Sequence, residues 1–426
     1  MNLKKVLIIT YYWPPAGGPG VQRWLKFVKY LPDFGIQPVV FVPENPNYPI
    51  IDPNLIDEVG KDTVIIKKKI FEPYQIAAFF SGNKTQKISS GIIPVAKKQS
   101  WILKMLLWIR GNFFIPDARF LWVSPSVRFL KKYLQENQIE TIVTSGPPHS
   151  LHLIGLKLQK DLNLKWIADF RDPWTTIGYQ RELKLSKFAQ NKHKNLEKQV
   201  LNNADEIIVT SKSTKTEFQQ ITSKSITVIT NGHDFEKIEI QNLDSKFSLA
   251  HIGSFLSNRN PQILWQCLSE LILEVENFKT DLQIKLIGTV SETILQTLAD
   301  FDLISNTSNL GYLSHQAAMI QQRNAQVLLL LEIDSKDTKS IIPGKLFEYL
   351  ISNRPILALG PKDSDFAEIL SDTNTGFFFE YHQKQELKLK ILEFYNLYLQ
   401  NKLIVNAKDI DKYWRKNLTR QLVDLL

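Results

Sequence analysis

Cysteine is almost missing from this 426-residue chain, where Cys267 stands alone. No intrachain disulfide framework is available, which fits a reducing compartment. Within the pattern Ile263, Leu264, Cys267, Leu268, Leu271 the thiol reads as small core filler. No stretch has the ~18 uninterrupted apolar residues of a membrane span. The opening MNLKKVLIITYYWPP runs into an aromatic, proline-rich loop and lacks a small-residue cleavage site. A cytoplasmic protein is therefore expected. Paired zinc ligands and an RNP-like aromatic strand are also absent, and no acidic metal-binding pair such as DxD is read in a suitable loop, which disfavours a nucleic-acid partner and a metal site. His233, His251 and His315 lack ligand spacing and read as structural histidines. No repeat at solenoid period is found.

What is present is ordinary for a large soluble protein: 43% hydrophobic and 22% charged residues. The length suggests two or three domains. The net charge of +9 is unevenly spread. Residues 1–135 hold 19 Lys and Arg against 8 Asp and Glu, so the whole basic surplus lies there. An anionic surface or substrate is expected on that side, a membrane being one candidate.

Short apolar runs alternate with helical spacing along the chain. Val6–Thr10, Pro38–Val42, Glu140–Thr144, Lys165–Ala168, Glu206–Thr210 and Ile226–Thr230 read as strands of one parallel sheet. Phe247–Ile252, Leu282–Ile287, Val327–Leu331, Ile356–Leu359 and Thr375–Phe379 read as strands of a second. The predicted division is 1–236 for a first Rossmann-like domain, 237–404 for a second, and a helix at 405–426 returning to the first. Residues 65–125 look irregular. Their Trp101, Leu106, Leu107, Trp108, Phe113 and Phe114 lie beside Lys104, Arg110 and Arg119. That mixture suits an interfacial membrane segment or a core helix with solvated charges.

Polar clusters follow several strands at their carboxyl ends, where open α/β sheets bind ligands. Gly17, Gly18 and Gly20 form a loop after the first strand; it suits either close backbone approach to a ligand or a flexible turn. The GxGxxG dinucleotide fingerprint is not met. His149 follows the strand at 140–144, and Asp169, Arg171, Asp172 and Trp174 follow the one at 165–168. The charges form either a site or a structural ion-pair cluster. In PGKLFEYLISNRPILALGP, Gly344 and Lys345 open a helix that suits a phosphate, and Glu348 one turn later suits paired hydroxyls.

The segments NNADEIIVTSKS, VITNGHD, HIGSF with RNP, GYLSH and PGKLFEYLISNRPILALGP resemble family 4 (group 1) glycosyltransferases. YYWPPAGGPG, TSGPPHS and DFRDPW resemble a bacterial surface-polysaccharide branch. The resemblance implies a GT-B fold, two Rossmann-like domains facing each other across a cleft. It implies metal-independent, retaining transfer from a nucleoside diphosphate sugar to a lipid-linked glycan, with no cofactor and with peripheral membrane attachment. Residue by residue, Gly17, Gly18, Gly253, Ser254, Arg259, Gly344, Lys345 and Glu348 are assigned to the donor, with Glu348 on ribose. Asp169, Arg171 and Asp172 are assigned to catalysis; Gly20, His149 and Trp174 are assigned to the acceptor. The family's first Glu of E-x7-E falls at Ser340, its basic pair at Ser254 and Arg259, and its His-Asp at Arg171-Asp172. Alternatives are a sugar-nucleotide epimerase or hydrolase of this fold, and a weakly catalytic binding partner in an assembly complex.

Overall fold

In a computed structural model the chain is described over residues 3–72, 101–178, 180, 183–234 and 243–426. It divides into two units, Met1–Asn231 with Arg415–Leu426, and Gly232–Trp414.

The first unit is built on seven parallel strands in the order β3-β2-β1-β4-β5-β6-β7. They are β1 (Lys4–Ile9), β2 (Ile36–Pro43), β3 (Val64–Lys68), β4 (Thr141–Gly146), β5 (Lys165–Phe170), β6 (Glu206–Val209) and β7 (Ile226–Val228). Helices α1 (Pro19–Tyr30), α2 (Trp101–Phe113), α3 (Val123–Glu136), α4 (Ser150–Leu162), α5 (Lys187–Asn203) and α6 (Lys212–Gln219) connect them. The run Val6–Ile9 is apolar without alternation because both sheet faces are covered. Leu7 and Ile9 enter one core layer, and Val6 and Ile8 the other, as successive strand side chains must.

α1 starts with Pro19 in its first turn and buries Val21, Trp24, Leu25 and Val28 at helical spacing. Gly18, before it, has φ 86° and ψ 178°, a region open essentially only to glycine.

The second unit carries six parallel strands in the order β10-β9-β8-β11-β12-β13. These are β8 (Phe247–Ile252), β9 (Leu282–Ile287), β10 (Thr307–Gly311), β11 (Val327–Leu331), β12 (Ile356–Gly360) and β13 (Gly376–Glu380). Its longer helices are α7 (Gln262–Glu274), α8 (Glu292–Asp300), α9 (His315–Asn324), α10 (Lys345–Leu350), α11 (Asp365–Thr373) and α12 (Lys384–Leu399), with a single helical turn at Phe278–Asp281 before β9. β11 is fully buried; Leu329 and Leu331 face one layer, Leu328 and Leu330 the other. Each such leucine contributes about 1.5–3 kcal/mol by burial.

The last helix, α13 (Arg415–Val423), returns to the first unit. Leu418, Leu422 and Leu426 pack with Val6, Trp24 and Val28, and Lys4 Nζ donates to the Leu426 carbonyl at 2.7 Å.

Three sequence expectations are corrected. The segment 65–125 is not irregular where it is described: β3, α2 and the start of α3 lie in it, while 73–100 fall outside the described residues. β10 was not expected, because TSNLG is a half-exposed, polar edge strand without apolar alternation. The final helix is shorter than 405–426, beginning only at Arg415.

Candidate functional site

Both sheets end their strands in loops that hold charged groups, and each set is described within its own unit.

In the first unit, β5 ends at Phe170 and its Asp169 points into the molecule. The carboxylate is fully buried and accepts from Arg23 Nη2 at 2.8 Å, Arg23 Nε at 3.1 Å, Trp24 Nε1 at 2.8 Å and Ser145 Oγ at 2.8 Å. Burial alone would raise its pKa. The Arg23 charge and the hydrogen bonds outweigh this and hold Asp169 below the ordinary carboxylate range.

Arg171, one step beyond the strand, donates through Nη1 to the Gly20 carbonyl at 3.0 Å and through Nη2 to the Pro147 carbonyl. Its guanidinium lies 5.5 Å over the Tyr12 ring. It therefore staples the glycine loop to the loop after β4. A Cβ at Gly20 would sit 2.8 Å from Arg171 Nη1, so a side chain there would displace the guanidinium. Asp172 is half-buried; burial raises its pKa, and the neighbouring Arg171 charge opposes that rise.

Trp174 is fully buried, with its ring 4.8 Å from His149 and nearly parallel at 4°. Its indole donates to His193 Nδ1 at 3.1 Å. Burial, with His152, Arg171 and His193 nearby, drives the His149 pKa well down, so the ring is neutral. Thr175 donates from N and Oγ1 to Glu197, a buried carboxyl pushed up to about 7 by desolvation.

In the second unit, β8 ends at Ile252, and Gly253 turns with φ 105°. Gly288 packs so close that a Cβ there would lie 2.5 Å from the Gly253 carbonyl oxygen. Ser254 is exposed. Arg259 donates from Nε to Glu332 Oε1 and from Nη2 to Glu332 Oε2, both at 3.2 Å. Glu332 caps the end of β11 and is fully buried. Lys345, the first residue of α10, donates to His251 Nε2 at 2.8 Å and to the Ile252 carbonyl at 3.2 Å. Desolvation lowers the Lys345 pKa to about 7, helped by Arg259 and opposed by Glu332. His251 is held well below its ordinary pKa by burial and by the Lys345 and Arg259 charges, and so accepts as a neutral ring. Glu348, one turn into α10, is half-buried, and its backbone carbonyl accepts from Gln322 Nε2 at 2.7 Å.

Residues 96–237 match the model described as Glycosyltransferase Family 4. Over that third of the chain the sequence is similar to family 4 glycosyltransferases. Its fold is GT-B. HepE of Anabaena, solved with UDP, superposes with a TM-score of 0.62 at 13% identity, covering 99% of each chain. Sucrose-phosphate synthase of Thermosynechococcus elongatus gives 0.60 at 13%, over 99% of this chain and 98% of that one. The lipopolysaccharide outer core galactosyltransferase WaaB, in apo form, gives 0.58 at 12%, over 99% and 98%. No curated protein matches the sequence.

The chain brings Arg259, Lys345 and the Gly253 turn together at the carboxyl end of its second sheet, and Gly20 and Arg171 at that of its first. Four sequence assignments need physical correction. Asp169 is saturated by Arg23, Trp24 and Ser145 and has no exposed edge, so it holds α1 to β5 instead of touching substrate. Arg171 spends both terminal nitrogens on backbone carbonyls and so positions the glycine loop. Trp174 and His149 stack in the interior, away from any exposed surface. Gly344 does precede Lys345, but α10 has only six residues, too short a helix to carry the phosphate-binding dipole expected of it. Three neighbours of these residues, Arg23, Glu332 and Glu197, have no place in the sequence reading, and His251 figures there only as a structural histidine. Glu332 left a signal, because it follows five apolar residues at a strand's carboxyl end. Arg23 left none, being one basic residue on an amphipathic helix.

Proposed function

We propose that this chain is a glycosyltransferase that moves a sugar from a nucleoside diphosphate sugar to a lipid-linked glycan, with retention at the anomeric carbon and without a metal ion, in bacterial surface polysaccharide synthesis. One observation carries the reading. Lys345 is a desolvated ammonium whose hydrogen-bond partners, His251 Nε2 and the Ile252 carbonyl, are both neutral. Placed beside Arg259 at a strand's carboxyl end, it is suited to an anionic ligand. HepE, of the same fold, is solved with UDP-glucose, which supports a nucleotide sugar as the donor class. WaaB, a lipopolysaccharide galactosyltransferase, supports the glycan context.

In the reaction the bond between the anomeric carbon and the diphosphate oxygen breaks, and the acceptor oxygen takes its place. The acceptor's proton passes to the departing phosphate. Lys345 and Arg259 stabilise the charge that develops on the diphosphate. Glu348 holds the ribose hydroxyls, with Gly253 and Ser254 giving the donor's phosphates room. Asp172 orients acceptor hydroxyls beside Gly20. No described helix is long and apolar enough to cross a membrane. Attachment is instead peripheral and cytoplasmic, through α2, where Met105 (45% exposed), Trp108 (43%) and Phe113 (66%) stand out beside Arg110.

The test is a donor screen with UDP- and GDP-sugars on the purified chain, read by nucleotide release and thermal shift. One nucleotide class should raise the melting temperature, and Glu348→Ala should abolish that rise. An unchanged response in Glu348→Ala sinks the assignment. Release of an isomerised sugar without any acceptor would point to an epimerase instead.

A further inference from the structure

We propose that Glu332 is a positioning residue for the donor's diphosphate, acting through Arg259. The inference rests on the donor site proposed above. Glu332 does not itself face solvent. Its backbone N–H donates to the Leu359 carbonyl at 2.9 Å, and its carbonyl accepts from Tyr381 OH at 2.7 Å. The N–H of Ile333 donates to Oε1 at 2.9 Å. The carboxylate is thus fixed on β11 before Arg259 reaches it. Both its oxygens then take the Nε and Nη2 edge of the guanidinium, a fork that sets the plane as well as the place of the group. Among the described residues Nη1 donates to no protein atom, and the Arg259 side chain is 27% exposed. One edge of the guanidinium is locked and the other is left for an oxyanion. Lys345 feels both groups, so the three form one electrostatic unit.

This arrangement makes an opposite prediction from simple charge counting. Removing a carboxylate near an anion site should tighten anion binding by Coulomb's law alone. If Glu332 instead holds Arg259 in its productive rotamer, Glu332→Gln should weaken it. The experiment compares UDP with UMP and GDP with GMP by calorimetry on the full chain. Glu332→Gln should weaken the preferred diphosphate about tenfold or more while moving the monophosphate much less, as expected for a lost charge-assisted hydrogen bond. In an Arg259→Ala background the same substitution should add no further loss, because the interaction acts through that residue. The proposal is overturned by tighter or unchanged diphosphate binding, by equal losses for diphosphate and monophosphate, or by losses that add in the double variant. If the unmodified chain binds neither diphosphate, the proposed donor site itself fails and this inference falls with it. If the unmodified chain binds a diphosphate and only the variant pattern is wrong, the donor site stands and the positioning role alone is refuted.

Discussion

Diphosphate binding by this chain should carry a proton with it, and Lys345 sets how much. The ammonium is buried against His251 and the Ile252 carbonyl, with the Arg259 charge adding to desolvation and Glu332 opposing them; its pKa falls to about 7. At pH 7.5 only about a quarter of free molecules would carry the proton. A diphosphate supplies negative charge that restores the charged form, so binding should take up about 0.8 proton at pH 7.5 and about 0.1 at pH 6. The sign follows from the lowered pKa: the ligand prefers the protonated lysine, so affinity is level below pH 7 and weakens as pH rises above it. The loss approaches about tenfold per pH unit once the free group is mostly neutral. Calorimetry of UDP or GDP binding in two buffers of different ionisation heat measures the uptake directly. Lys345→Gln should remove it, leaving only the nucleotide's own proton exchange. Equal uptake in the Lys345→Gln variant and the unmodified chain at pH 7.5 would refute the reasoning.

Further outcomes are expected. Asp169→Asn should cost about 3–5 kcal/mol of stability in denaturant unfolding, because it strands the buried Arg23 charge; a variant that loses turnover at unchanged stability would return Asp169 to the chemistry. Glu197 has a folded pKa of about 7 against an ordinary 4.5, so its contribution is intact below pH 4.5 and lost as pH rises through 7. Glu197→Gln should therefore flatten the stability profile, gaining about 3 kcal/mol over the unmodified chain at pH 8 and little at pH 5. Replacing Trp108 and Phe113 together by Ser should release the chain from anionic vesicles in sedimentation without shifting its melting temperature; retained binding would exclude α2 as the attachment.

The strands that could be read from sequence are the ones buried on both faces. Val6–Ile9, Val327–Leu331 and Ile356–Leu359 carry unbroken apolar runs because parallel strands are covered on each side. β3 and β10 escaped because an edge strand has one open flank, and VIIKK and TSNLG meet it with lysines and polar residues. The site was legible as an address more than as a set of roles. Charges just beyond β5 do mark the ligand edge, but sequence does not reveal that Arg23, on a helix far earlier in the chain, closes over Asp169. Nor does it show that Trp174 turns inward onto His149 while Arg171 turns back to Gly20. Lys345 was picked out for its charge; its depressed pKa depends on burial by α10 and β8, which only the packed unit creates.

The first unit is discontinuous: residues 232–414 intervene before α13 completes it. On the ribosome, the seven-stranded sheet is therefore made long before the helix that covers Val6, Trp24 and Val28 emerges. Throughout synthesis of the whole second unit that apolar patch lacks Leu418, Leu422 and Leu426, and a nascent chain stalled there would present it to chaperones. The second unit, whose residues are contiguous, can complete its fold before the first does, although it is encoded later.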